Sequence, residues 1–241
     1  MHDDAIVRTA IQELVIANRA LAAESVIDDF GHVSARHPLR PDRFLLSRSR
    51  SPMLVTVDDI MEFELDGTPV EQNGRRVYAE RFIHAAIFAA RPDVNCVTHH
   101  HARSVLPFTV TDTVLRPMFH MASVIGHAVP VWESQDEFGD TNMLVDSLKM
   151  GHSLARTVGA GRAALLRGHG AVCVAPNLRA ICMISINMKE NAELVLKSLP
   201  LGTPKYLSDG EIEKAGNMLL GDMPLARAWD YWTTRAGFAG L

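Results

Sequence analysis

Near the start of the chain, apolar residues fall on one helical stripe: Ile6, Ala10, Ile11, Leu14 and Ala17. Asp3 or Asp4 stands where a cap belongs, so the spacing predicts a helix to about Ala23. The period then shortens. Residues 30–36, F-G-H-V-S-A-R, read as a strand entered through Gly31, and residues 44–47 as a second, followed by the polar loop S-R-S-R-S-P. A short helix over 56–60, a strand over 62–65 and the hairpin signal Asp66-Gly67 come next. Helical spacing returns over 79–90, with Phe82, Ile83, Ala86, Ile87 and Ala90 on one stripe, and Arg91-Pro92-Asp93 stops it.

Residues 95–101 then read as a strand, 107–120 as extended and irregular, and 128–132 as another strand. A long helix is predicted over 141–158, ended by Gly159 and Gly161. Strands over 163–166 and 171–175 flank the turn R-G-H-G. Asn177 caps a helix running to about Ser198, and Pro200, Gly202 and Pro204 break it. Two short helices close the chain, the last carrying Trp229, Tyr231 and Trp232, whose spacing favours packing on the chain's own core. Helices and strands alternate without a βαβ beat. This predicts one α/β domain over 1–241, with a mixed or mostly antiparallel sheet and a helical tail from about residue 205. No G-x-G-x-x-G follows a strand, so nothing supports a dinucleotide site.

Composition narrows the class. The 241 residues are 47% hydrophobic and 22% charged, with a net charge of −4 and no basic block, which argues against a nucleic-acid partner. Cys96, Cys173 and Cys182 lie in apolar runs and read as buried free thiols of a reducing compartment. The acidic start M-H-D-D-A-I-V carries no cleavage signal, and no apolar run approaches the roughly 20 residues of a membrane span. A soluble, cytoplasmic protein is expected.

The candidate chemistry lies in V-T-H-H-H-A-R, residues 97–103. Strand side chains alternate faces, so His99 and His101 point one way and His100 the other. Two such imidazoles can reach one ion, at Zn–N distances of about 2.0–2.1 Å, although H-x-H also suits a polar pair on a solvated face. Val94, Cys96 and Val97 mark the strand as buried, and a buried strand carries His only with partners. His169 sits at the end of another apolar strand, in the glycine-flanked turn L-L-R-G-H-G. Three nitrogen donors leave positions open for water or substrate, and imidazoles without Cys suit Zn, Mn, Fe or Co. Glu80 opens the helix that feeds this strand, on the same side as His84. It reads either as a carboxylate of the site or as a solvated first-turn acid favoured by the helix dipole.

Taken in order, these segments resemble the class II aldolase/adducin family over roughly residues 5–205. Residues 83–102, I-H-A-A-I-F-A-A-R-P-D-V-N-C-V-T-H-H-H-A, resemble its helix leading into the H-x-H strand. L-L-R-G-H-G-A-V resembles its third-ligand turn, and F-G-H-V-S-A-R its early G-N-x-S-x-R strand. The resemblance implies an α/β/α fold with a central, mostly antiparallel sheet. It also implies a divalent metal on His99, His101 and His169, a catalytic acid/base at Glu80, and a homo-oligomer, usually a four-fold ring.

The departures point to a reaction. His32 stands where the family's sugar-phosphate aldolases carry Asn, and the phosphate-cradling segments give way to Arg48, Arg50 and Tyr78. Arginine forks match carboxylates bidentately, and Tyr78 and Phe119 suit a flat ring. With L-R-P-M-F-H-M, which contains His120, these features resemble the branch that decarboxylates hydroxylated aromatic acids. The implied partner is a small aromatic carboxylate. In this reading Glu80 is the first candidate proton donor, expected to have a raised pKa, and His32 the second. Arg48 and Arg50 hold a retained carboxylate, and Ser34 and Arg36 fix the wall. Arg48 and Arg50 also fit a solvated basic loop, and His32, His84 and His120 also fit hydrogen-bonded core positions. An aldolase or epimerase, or an adducin-like module without chemistry, are the other readings.

Overall fold

The computed structural model describes residues 2–238. Helix α1 (His2–Ala23) leads into strands β1 (His32–Arg36), β2 (Arg43–Ser47) and β3 (Ile60–Glu64). Helix α2 (Arg81–Ala90) precedes β4 (Cys96–His100), and α3 (Leu106–Thr109), β5 (Val131–Trp132), α4 (Ser134–Phe138) and α5 (Leu148–Val158) follow. Then come β6 (Ala163–Leu166), β7 (Gly170–Ala175) and helices α6 (Leu178–Ser198), α7 (Asp209–Leu219) and α8 (Asp222–Arg235). The seven strands form one sheet in the order β3-β2-β1-β4-β7-β6-β5. Every pairing is antiparallel except β5 with β6. Among the described residues, no helix is long and apolar enough to cross a membrane.

Strand alternation sorts side chains into two cores, one on each face of the sheet. Val33 and Ala35 of β1 and Cys96 of β4 join Leu14, Ile181, Trp229 and Trp232, from α1, α6 and α8. Phe44 and Val97 join Ile83, Ile87 and Leu154, from α2 and α5. The polar positions obey the same alternation. Thr98 meets Ser185 of α6 at 2.8 Å and His100 lies beside Cys173, whereas His99 turns to the α2 side. The two tail tryptophans thus pack on the chain's own core, while Tyr231 is exposed. All three cysteines are free and buried.

Several predicted boundaries move. The helix predicted over 141–158 starts only at Leu148, because Ser147 accepts the Met150 N–H as its cap and, before it, the Thr141 hydroxyl and Asn142 side chain accept the N–H groups of Met143 and Leu144. A separate short helix, α4, precedes it. The strand predicted over 128–132 is reduced to its last two residues, and the helix over 56–60 to a single 3-10 turn, Val57–Asp59. Helix α2 begins at Arg81, after Glu80 rather than at Ala79. Asp3 and Asp4 lie within α1, which begins at His2, and so do not precede it as caps.

Candidate active site

Glu80, His99, His101 and His169 converge at the end of the sheet where β4 finishes and the β6–β7 turn begins. One ligand-capable atom from each lies within 4.8 Å of the others. Strand β4 supplies His99 and, just past its end, His101, whose Nε2 atoms are 3.0 Å apart. The β6–β7 turn supplies His169. Gly168 takes φ +63 there, and a Cβ on Gly170 would strike the His100 carbonyl, so both neighbours of His169 must be glycine for the turn to close against β4. Glu80 stands at the N-terminus of α2 without capping it. Its Oε1 accepts the Val145 N–H at 3.1 Å, and its Oε2 is 3.5 Å from His99 Nε2 and 3.8 Å from His169 Nε2.

The hydrogen bonds behind these rings decide what they present. His99 Nδ1 lies 3.1 Å from the Ala171 carbonyl oxygen, and His101 Nδ1 lies 3.0 Å from Asp28 Oδ1. Both partners are acceptors, so each ring keeps its proton on Nδ1 and offers a bare Nε2. Two lone pairs 3.0 Å apart repel unless a cation or a shared proton lies between them. With a third imidazole and a carboxylate alongside, the donor set fits a divalent ion, and Asp28 and Ala171 supply the outer orientation such ligands take. Burial and then His99 hold His169 down at about 4, which keeps its ring neutral and able to ligate.

The structure overturns the raised pKa expected for Glu80. Burial pushes the carboxyl up, but in the metal-free site a proton taken up on His99 Nε2, by charge and hydrogen bond, followed by the charge of His32 and His169 when protonated, carries it well below the ordinary carboxylate range. The imidazoles outweigh the apolar neighbours Tyr78 and Phe82, which were the only surroundings legible in the sequence. Glu80 is also no solvated first-turn acid, since it is buried.

These residues open onto a cavity of about 530 Å³, lined by Glu80, His101 and His169 together with His32, Arg50 and Tyr78. Phe30, 70% exposed, stands on its rim with Leu144. His32 is buried, with its ring 4.5 Å from Tyr78 and 5.3 Å from His99. Ser34 lies one step along the same strand face. Arg36 does not reach the cavity; it donates to the carbonyls of Val94, Phe88, Arg91 and Pro41 and so clamps the α2–β4 connection.

The arginine loop divides. Arg50 lines the cavity, whereas Arg48 does not. Both are tied to Asp59, Arg48 at 2.6 Å and Arg50 at 3.3 Å, so neither is a free solvated cation. Tyr78 latches the loop from beneath: its hydroxyl donates to the Arg50 carbonyl and accepts the Arg50 N–H at 3.3 Å. Phe119 and His120, expected at the substrate, do not line this cavity. Phe119 precedes a 3-10 turn, His120–Ile125, that packs on α6 and α7, and His120 is exposed. The contacts that fix this turn, with α6 and α7, join segments far apart in the chain, which the local motif L-R-P-M-F-H-M does not disclose.

Sequence reasoning missed Asp28 and Asp59. Each carried a local signal. Asp28 two residues before Phe30 is an Asx-turn pattern, and Thr56-x-x-Asp59 is a capping-box pattern. Their service to His101 and to Arg48 depends on tertiary contacts.

The chain belongs to the Class II Aldolase and Adducin N-terminal domain family, whose model matches residues 12–196. Within that class its similarity to individual proteins is more particular. It is 32% identical to Decarboxylase tropJ of Talaromyces stipitatus, over 98% of this chain and 95% of that protein. It is 28% identical to the 3,4-dihydroxyphthalate decarboxylase of Rhodococcus jostii, over 77% of this chain and 79% of that enzyme. The fold matches that of an aldolase II superfamily protein from Pseudomonas syringae with a TM-score of 0.80 and 20% identity, over 97% of this chain and 94% of that one.

Proposed function

We propose that the protein is a divalent-metal-dependent decarboxylase of an ortho-hydroxylated aromatic or pyridine carboxylic acid. The observation that carries this reading is a single cavity in which a Glu and His cluster suited to a cation faces one arginine and aromatic walls. The decarboxylases among its relatives support the same reaction class.

Loss of CO2 from an aromatic ring leaves an electron pair on carbon, and that charge needs a sink and a proton. A divalent ion on His99, His101 and His169 would supply Lewis acidity toward the substrate oxygens. Among the described residues, only Nη1 of the Arg50 guanidinium is engaged, on Asp59, which leaves its other N–H groups to grip a carboxylate. Tyr78 and the rim residue Phe30 bound the space a flat ring would fill. Glu80 is placed to take the proton of the ortho hydroxyl as the acid binds and to return it to the ring carbon after CO2 leaves. In this balance the C–COO bond breaks, a C–H bond forms, and no electron is gained or lost.

The test is CO2 release from 3,4-dihydroxyphthalate and from 2-hydroxybenzoates by zinc-, manganese-, iron- or cobalt-loaded protein. Release that a chelator abolishes is the expected result. Retro-aldol cleavage of a sugar phosphate, with no CO2 from any of these acids, would reject the reading.

A further inference from the structure

His32, His84 and Ser34 form a buried line of hydrogen bonds behind the cavity that the reaction as described does not use. His32 Nδ1 is 2.7 Å from His84 Nε2, and Ser34 Oγ is 2.6 Å from His84 Nδ1. All three residues are at most 1% exposed. Strand β1 places His32 and Ser34 on one face, and α2 lowers His84 between them.

The direction of the protons follows from counting donors. The Ser34 hydroxyl has one proton and two candidate acceptors, His84 Nδ1 at 2.6 Å and the Val97 carbonyl at 3.5 Å. A hydroxyl bond spans about 2.5–3.0 Å and only the His84 contact falls in that range, so we assign the Ser34 proton to His84. A neutral imidazole has one donor and one acceptor nitrogen. His84, accepting on Nδ1, therefore carries its proton on Nε2 and donates it to His32. His32, accepting on Nδ1, carries its own proton on Nε2. That nitrogen has no hydrogen-bond partner among the described residues, and His32 lines the cavity. Burial, which draws His84 down to about 3, keeps the middle of the line neutral. The Tyr78 and His99 rings, at 4.5 and 5.3 Å, both pack against the His32 ring.

We propose that His32 is a catalytic residue that donates its Nε2–H to an anionic oxygen of the bound organic acid, with Ser34 and His84 as positioning residues that fix this tautomer. This rests on the cavity being the site of an aromatic acid, and it assigns His32 a different part from the proton donor expected from sequence. A ring in this tautomer has no lone pair toward the cavity, so it binds the acid as a neutral donor and leaves proton transfer to Glu80.

The experiment combines histidine 15N NMR of the zinc-loaded full chain with salicylate binding by calorimetry. His32 is expected to show a protonated Nε2 and a bare Nδ1. In His84→Leu the His32 tautomers are expected to mix, and His84→Gln, whose amide N–H can replace the lost donor, restores the wild-type tautomer. A purely structural role for His84 would leave the His32 nitrogens unmoved. His32→Phe is expected to weaken salicylate binding about tenfold or more, and His32→Gln by less than about threefold. Protonation of His32 on Nδ1 in the wild type overturns the proposal. So does equal salicylate affinity in His32→Phe and His32→Gln, or no salicylate binding by the wild type. The two readings fail separately. Wild-type binding with the expected ranking but no CO2 from any acid overturns the decarboxylase alone, and CO2 release with no difference between the His32 variants overturns the tautomer assignment alone.

Discussion

His101 donates its Nδ1 proton to Asp28, 3.0 Å away, and the same carboxylate oxygen accepts the N–H groups of Phe30 and Gly31. One side chain thus orients a ligand-capable imidazole and folds the rim of the cavity. Such outer partners typically contribute 10–100-fold to metal affinity. Asp28→Ala is expected to weaken zinc binding by about that factor in competition with a chromogenic chelator. Unchanged affinity would show that His101 is oriented by its strand alone.

Glu80→Gln keeps the shape of the side chain but removes its capacity to carry a proton. Turnover is expected to fall by about 10²-fold or more, the range typical of a general acid–base group. Zinc content by elemental analysis is expected to stay near that of the wild type, because three imidazoles remain. Loss of the metal together with activity would make Glu80 a required ligand instead.

Arg50 and Arg48 share Asp59 but not the cavity. Arg50→Ala is expected to raise the KM for a dicarboxylic acid about tenfold or more and to cost less stability than Arg48→Ala, because its contact with Asp59 is the longer one, 3.3 Å against 2.6 Å. Arg48→Ala is expected to act on stability, by about 1–2 kcal/mol in urea unfolding, because it strips a charged partner from a carboxylate that is 3% exposed. Equal kinetic effects of the two variants would contradict this division.

Burial first, and then His99, draw His84 from its ordinary 6.5 to about 3. Between those values the unfolded chain binds a proton at this position and the folded chain does not. Stability is therefore fully present above the unfolded value and is lost as pH falls toward the folded one, by up to about 1.4 kcal/mol per pH unit. Urea unfolding of metal-free protein between about pH 7 and 5 is expected to show a shallower loss in His84→Gln than in the wild type. Identical slopes would mean that His84 takes up its proton without unfolding.

Periodicity made the sheet and its flanking helices readable. Strands β6 and β7 and helix α6 lie within a residue or so of their predicted places, because long apolar runs with clear caps leave few alternatives. The region between β4 and α5 was poorly readable. Its short elements are set by side-chain contacts such as Trp132 with Ser153 and Met118 with Asn191, not by local spacing.

The sequence by itself determined the family, the alternation that turns His99 and His101 to one face, and the residue types able to hold a cation. These follow from local geometry, since a strand's period of two leaves no choice of face. Only the tertiary structure decided that His169 and Glu80 meet that pair, that Asp59 takes up Arg48, that Phe119 and His120 do not line the cavity beside them, and that the Glu80 carboxyl is driven down rather than up. Each of these depends on which side chains from distant segments share a low-dielectric space. Charge and hydrogen bonding act over a few ångströms of that space, whatever the separation along the chain.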